Sequence, residues 1–422
     1  MPSRDVEINE SFVKSQIQTL CQERKGGLNH PSPPCERADY VCDLDVAQTN
    51  PEWGKVVRCI GSCCIGVDFQ TDWIPAPKKG TLNDCLRSST NIDWLLYLSQ
   101  KRYRDHSSHQ LFVGALGWFL LGCRLGEETQ TLGQWMSQAL HLSETKVAIA
   151  WWIASLLHDH AYPLAHILQV APSSVDENRQ VLLDTIWGLL GFTSARGQAS
   201  TRSDVFKDLY DYALLTELRS AIDQASPAHQ SRRDSIRTIL TQYLVPHFFS
   251  PDELCQTPES CYDHGVLGAA NVAALFDIPA NHPILKAVIR AIGIHNGAAC
   301  PENVDIQKDP LAFLLVLCDE CQEWARHIVV GDEVKVESHN IRLRGLEIVD
   351  SNKYQIGDCL TIAFEYPDAA CLSDTGWSYT SFRRSKEKAF SRLHIPEDFP
   401  IKRVEFHVWI PHEVRLSTAT TL

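Results

Sequence analysis

No apolar run in this 422-residue sequence is long enough to cross a bilayer. The two strongest, Leu111–Cys123 and Val147–Leu157, fall well short of the roughly 18–20 residues a spanning helix needs, so both are expected as buried core helices. The opening stretch, Met-Pro-Ser-Arg-Asp-Val-Glu, has no apolar h-region, and no secretory signal is expected. An excess of positive charge is also lacking. The formal net charge of −13 argues against a protein whose main task is to coat nucleic acid and favours a soluble enzyme or regulator. There is no internal repeat and no low-complexity tract, so neither a repeat architecture nor wholesale disorder is expected. Cysteine is plentiful, but its pattern lacks pairs. Fifteen residues, an odd number, are scattered over the chain, and neither Cys59-x3-Cys63-Cys64 nor Cys318/Cys321 has a second matching pair. That disfavours a disulfide framework and structural zinc, and points to reduced thiols in the cytoplasm, with these two groups read as small buried apolar residues.

What is present is ordinary globular composition, 44% hydrophobic and 22% charged, with length for two or three domains at roughly 100–200 residues each. Residues 1–90 form a loop-rich N-terminal segment with a short amphipathic helix around Ser11–Cys21 and a strand or two within Lys55–Asp68. From about 91 to 330 the grammar is helical, with helices expected at Trp94–Tyr103, His109–Cys123, Leu132–Leu140 and Glu144–Leu157. Further ones follow at Asp176–Leu190, Asp204–Ile222, Arg232–Tyr243, Cys261–Phe276, His282–His295 and Asp309–His327. The segment at about 173–254 reads as an inserted helical cap. Residues 331–422 change to period-two alternation, as in Glu333–Ser338, Leu360–Tyr366 and Val404–Ile410, and read as a β-rich C-terminal domain with a helix at Trp377–Arg392.

Several ionisable residues sit on faces that should point inward. His158 ends a stripe formed by Val147, Ala150, Trp151, Ala154 and Ser155, and Asp159 follows it. His109 opens a stripe with Val113, Leu116 and Leu120; His264 opens one with Leu267, Asn271 and Leu275; His295 closes one with Ile284, Val288 and Ile292. Asp319 is the sharpest case, because its face carries Leu311, Ala312, Leu315 and Val316 in a helix opened by Asp309 and Pro310. A desolvated carboxylate costs several kcal/mol (~3–5) if unpaired, and an imidazole beside it needs a partner too; a divalent cation satisfies both. Each histidine taken singly reads as a satisfied core residue, and His106 competes with His109 as the first of the series.

The order His109, His158-Asp159, His264, His295, Asp319 resembles the HD-domain superfamily of metal-dependent phosphohydrolases, whose helical core presents His, His-Asp and Asp, with two more histidines in binuclear members. The resemblance covers roughly residues 100–330. It implies a mainly α fold: an HD-domain helical bundle with an inserted cap and a C-terminal β-rich domain. It also implies that His109, His158, Asp159, His264, His295 and Asp319 hold two divalent transition-metal ions, with Asp159 bridging them. The donor set favours iron or manganese over zinc, nickel, cobalt or magnesium. Cations ~3.5–4 Å apart activate water for in-line attack on phosphorus.

The chain departs from the His-Asp-x-Gly-Lys pattern of some relatives, because Ala161 and Tyr162 stand where the Gly-Lys would be. Tyr162 and His160 or His166 are then expected to supply the catalytic hydrogen bond or proton, beside Asp159 as the catalytic carboxylate of the metal site. The expected partner is a small-molecule nucleotide or other phosphate ester, rather than a membrane or nucleic acid. Two alternatives remain at this point: a di-iron oxygenase on the same fold, and a non-catalytic signalling or interaction scaffold. The basic run Arg383-Arg-Ser-Lys-Glu-Lys reads as a solvated helix face, with contact to an anionic substrate as the alternative.

Overall fold

A computed structural model describes residues 106–126, 130–162, 229–245, 247–254, 263–276, 282–297, 303–330, 333–338, 340–350, 353–365 and 378–409. Shorter pieces lie at 6–8, 12, 15, 86, 164–165, within 214–221, and at 420–421. The helices expected at Trp94–Tyr103 and Asp176–Leu190 and the strands expected within Lys55–Asp68 lie outside these residues, as does most of the expected helices Ser11–Cys21 and Asp204–Ile222.

The described part is mainly helical, built on α1 (His106–Gly122), α2 (Leu132–Ala139), α3 (Glu144–Leu157), α4 (His229–Leu244), α5 (His264–Phe276), α6 (Pro283–Ile294) and α7 (Pro310–Cys321). The centre is α3. Ser143 starts it by accepting a hydrogen bond from the Lys146 amide, and every residue from Val147 to Leu157 is buried. A helix apolar on all sides must be surrounded, and α1, α2, α6 and α7 pack around this one. Glycine lets α1 come close. The Trp151 indole donates to the Gly114 carbonyl at 2.7 Å, and a methyl group at Gly117 would lie 1.9 Å from the same indole ring.

Proline at the first helical position starts both α6 and α7. Asp309, just before α7, makes no side-chain cap; its carboxylate instead takes Arg290 of α6 at 2.7 and 2.9 Å. The helix expected over Asp309–His327 stops at Cys321. Gln322 adopts extended dihedrals, and Trp324–Val330, rich in β-branched and aromatic residues, becomes strand β4, paired antiparallel with β5 (Glu333–Ser338).

The larger sheet has six strands in the order β1 (Val6–Ile8), β6 (Asn340–Asp350), β7 (Lys353–Glu365), β9 (Arg403–Trp409), β10 (Thr420–Thr421), with β2 (Arg124–Leu125) also on β7. It is mixed: β6–β7 is antiparallel, while β2 and β9 run parallel to β7. Four of its strands come from the C-terminal region, but β1 and β2 are contributed from elsewhere in the chain. The segment β2 leaves α1 directly and inserts the fully buried Leu125 beside Ile356, which ties sheet to helices. Helix α8 (Tyr379–Phe390) lies between them, packing Phe382 and Phe390 on Phe364 and Phe390 on Phe406, and touching α7. A two-stranded pairing of β3 (Val304–Asp305) with β8 (Leu393–His394) fixes the chain just beyond α8.

Candidate metal centre

The helix ends around α3 bring six of the expected residues together. His158 and His295 occupy equivalent places, the C-caps of α3 and α6. The last carbonyls of a helix have no amide partner within it, and each imidazole uses one. His158 Nδ1 donates to the Ser155 carbonyl at 2.8 Å, and His295 Nδ1 to the Ile292 carbonyl at 2.6 Å. With the proton so held on Nδ1, each Nε2 lone pair is turned toward the centre of the cluster. His109, early in α1, is oriented by a side chain instead, since its Nδ1 meets Gln322 Oε1 at 2.5 Å. His264 begins α5 directly after Asp263, whose carboxylate accepts the Val266 amide at 3.0 Å and the Asn296 side-chain amide next to His295. The N-terminus of α5 and the C-terminus of α6 are thereby fastened together.

Asp159 divides the cluster. Its Oδ2 lies 3.5 Å from His158 Nε2 and 3.7 Å from His109 Nε2; its Oδ1 lies 3.2 Å from His264 Nε2 and 3.7 Å from His295 Nε2. Asp319 Oδ1 completes the first group at 2.7 Å from His109 Nε2 and 3.6 Å from His158 Nε2. The Nε2 atoms of the second group are 3.1 Å apart, and those of His109 and His158 are 3.3 Å apart.

These separations suit a cation. Donors ~2.0–2.2 Å from one ion at octahedral or tetrahedral angles stand about 3.0–3.5 Å from each other, and the edges of both groups run from 2.7 to 3.7 Å. Three overlapping sets of three donor atoms lie within 4.8 Å of one another: His109/His158/Asp159, His158/His295/Asp319, which draws on both groups, and Asp159/His264/His295. The donor chemistry agrees, with imidazole and carboxylate together and no thiolate among them.

The cluster is walled on one side and open on the other. The side chains of His158, His295 and His109 are 0%, 1% and 3% exposed, whereas His264 and Asp319 keep 16% and 22%. The apolar stripe leading to Asp319 suggests full desolvation; the carboxylate sits instead at the rim, where a ligand can approach. Without a cation, protons take its place. Burial disfavours the His158 imidazolium, but Asp159 and Asp319 outweigh this and push it up to about 9. His264 is raised despite burial, chiefly through Asp159. Burial would raise both carboxyls, yet the imidazoles hold Asp159 and Asp319 well below the usual range.

The other expected residues fall differently. His160 is buried, its Nδ1 bonded to the Leu157 carbonyl and its Nε2 accepting from Asn271 at 3.1 Å; burial pulls it down to about 4, leaving a neutral ring held by the scaffold. Tyr162 is half-buried with its ring 5.2 Å from that of His264, on the open side. His166 and the side chain of His106 lie outside the described residues. Cys318 and Cys321 are buried free thiols raised by burial, while Cys59, Cys63 and Cys64 lie outside the described residues.

Gln322 escaped the sequence reading, although it stands one helical turn beyond Asp319, the position from which a side chain reaches the same neighbour. In the basic run, Arg383 pairs with Glu387 at 2.8 Å on the half-exposed face, but Lys386 is buried. Its place midway along the stripe Phe382–Lys386–Phe390 was the available signal. No family model matches this chain, and no curated protein or solved structure is significantly similar to it.

Proposed function

We propose that this chain is a binuclear, metal-dependent phosphohydrolase of the HD-domain type, acting on a nucleotide or another small phosphate ester. The observation that carries the reading is the division of Asp159, with one oxygen toward His109 and His158 and the other toward His264 and His295. A carboxylate shared in this way suits two ions side by side, and the absence of thiolate from the set favours iron or manganese. Two such cations, when bound, activate water and offset the charge that develops on a transferring phosphoryl group.

The chain's own residues do the rest. The Nδ1 bonds of His109, His158 and His295 hold three imidazoles in one tautomer and one orientation. The buried side formed by α3 keeps bulk water behind the cluster out, so substrate reaches it past Asp319 and His264. Tyr162, beside His264 and standing where some HD relatives carry a lysine, donates a hydrogen bond to substrate from this side. His160, with both nitrogens committed to the scaffold, keeps the His-Asp turn in place rather than moving protons.

The test is a parallel assay of the purified protein, loaded with Mn2+ or Fe2+, for phosphate release from a panel of nucleotides and phosphate esters and for dioxygen consumption. Phosphate release lost in Asp159→Ala is the expected result. Oxygen uptake coupled to product with no phosphate freed would replace this reading with that of an oxygenase.

A further inference from the structure

The ends of the two helices that carry Asp319 and His295 are each held by a cation from the segment around α8. Lys386, 4% exposed, donates to the Glu320 carbonyl at 2.7 Å, the Glu320 carboxylate at 3.0 Å and the Glu323 carboxylate at 2.7 Å. These partners flank Asp319 and Gln322, so one ammonium fixes the turn that supplies both the rim carboxylate and the orienting amide of His109. The faces of Phe364 and Phe382, 5.4 and 5.3 Å away, complete the cation's surroundings.

Six residues on, Arg392 donates to the carbonyls of Ile294 and His295 at 2.6 and 2.9 Å. It caps α6 at the end where the peptide dipoles concentrate negative charge. Gly297, at φ 86°, makes room for it: a Cβ there would stand 2.8 Å from the guanidinium carbon. Arg392 is itself anchored by β3, since the Val304 amide donates to its carbonyl at 2.6 Å.

From this juxtaposition we infer that Lys386 and Arg392 are positioning residues of the metal centre, each governing one side of it. Lys386 acts on the group of His109, His158 and Asp319; Arg392 acts on the group of His264 and His295. The helical core then supplies every donor, while the C-terminal segment sets their spacing. This inference rests on the two-metal reading above. Orienting groups one step behind a ligand typically matter ~10–100-fold in metal affinity, and that is the effect expected here.

The experiment is titration of the full chain with Co2+, followed by calorimetry and by the visible ligand-field spectrum, which reports donor geometry at each ion. Wild type is expected to take two equivalents. Lys386→Met should weaken one equivalent ~10–100-fold and change its spectrum while sparing the other; Arg392→Met should do the same to the other equivalent. Lys386→Arg, which keeps the charge, should recover part of the lost affinity. If Lys386→Met fails to fold, Lys386→Met with Glu323→Leu removes both buried partners at little cost to stability and puts the same question. Folded variants that bind two equivalents with wild-type affinity and spectrum would overturn the inference and leave the two-metal reading intact. A wild-type chain that binds no Co2+ would overturn both.

Discussion

Two buried polar clusters meet in the last turn of α7, and they differ in one respect. Around Lys386, one ammonium faces two carboxylates and a carbonyl, so the cluster contains its own cation. Around Asp159, two carboxylates face four imidazoles, and among the described residues no lysine or arginine forms an ion pair with either carboxylate. The first is a structural ion pair. Within the described residues, the second is balanced only when something positive enters, either protons on the histidines or metal ions. Burial of charge therefore does not by itself mark a metal site; what marks it is convergence of lone pairs with no side-chain cation to answer them.

The largest effect should come from the carboxylate shared by both groups. Asp159→Ala is expected to lose both metal equivalents, whereas Asp319→Ala loses one, as elemental analysis would read. Equal single losses from the two variants would break the picture of Asp159 as the divider.

Next in size is the cost of opening the self-contained cluster. Lys386→Met strands Glu323 in the interior and should lower stability by ~3–5 kcal/mol, while the double variant Lys386→Met with Glu323→Leu should recover most of that. Chemical denaturation of the metal-free chains measures both. If the double variant is as unstable as the single, the stranded Glu323 charge is not the source of the loss.

Packing beneath the site comes third. Gly117→Ala pushes a methyl group into Trp151 and should cost ~1–3 kcal/mol by overpacking, less what helix propensity returns. By moving α1 against α3 it should also weaken the equivalent that needs His109 together with His158.

The smallest effect is on pH dependence, and it separates the clusters by what replaces the missing cation. In the metal-free chain His158 is raised to about 9, above its unfolded value near ~6.5. Its contribution to stability is therefore fully present below about pH 6.5 and is lost as pH rises through about 9. Metal binding displaces that proton, so affinity should rise across the same window. The gap in melting temperature between loaded and chelator-treated protein should widen from pH 6.5 to 9; a gap that stays constant would contradict this.

Much of this was legible in the chain itself, for physical reasons that differ by element. The bounds of α3 follow from Ser143 and an unbroken apolar run, and the inward aim of His109, His158, His264, His295 and Asp319 follows from helical periodicity alone. Periodicity does not tell how far inward a side chain sits, so the rim position of Asp319 had to come from packing. It also cannot say where an apolar helix gives way to a β-rich run, which is why α7 ends at Cys321 rather than running on to His327. His160 reads like its neighbours in a string of ionisable residues, and only three-dimensional placement turns its nitrogens to Leu157 and Asn271. Gln322, Lys386 and Arg392 act across long chain separations, on backbone carbonyls, carboxylates and one ring nitrogen, and composition carries little trace of such contacts.

Metal identity and stoichiometry in the carefully purified chain, read by elemental analysis together with anomalous scattering, test the two-metal centre most directly. Two transition-metal ions per chain, one bounded by His109, His158, Asp159 and Asp319 and the other by Asp159, His264 and His295, is the predicted result. Less than one equivalent, unchanged when His158→Ala is combined with Asp159→Ala, would contradict it.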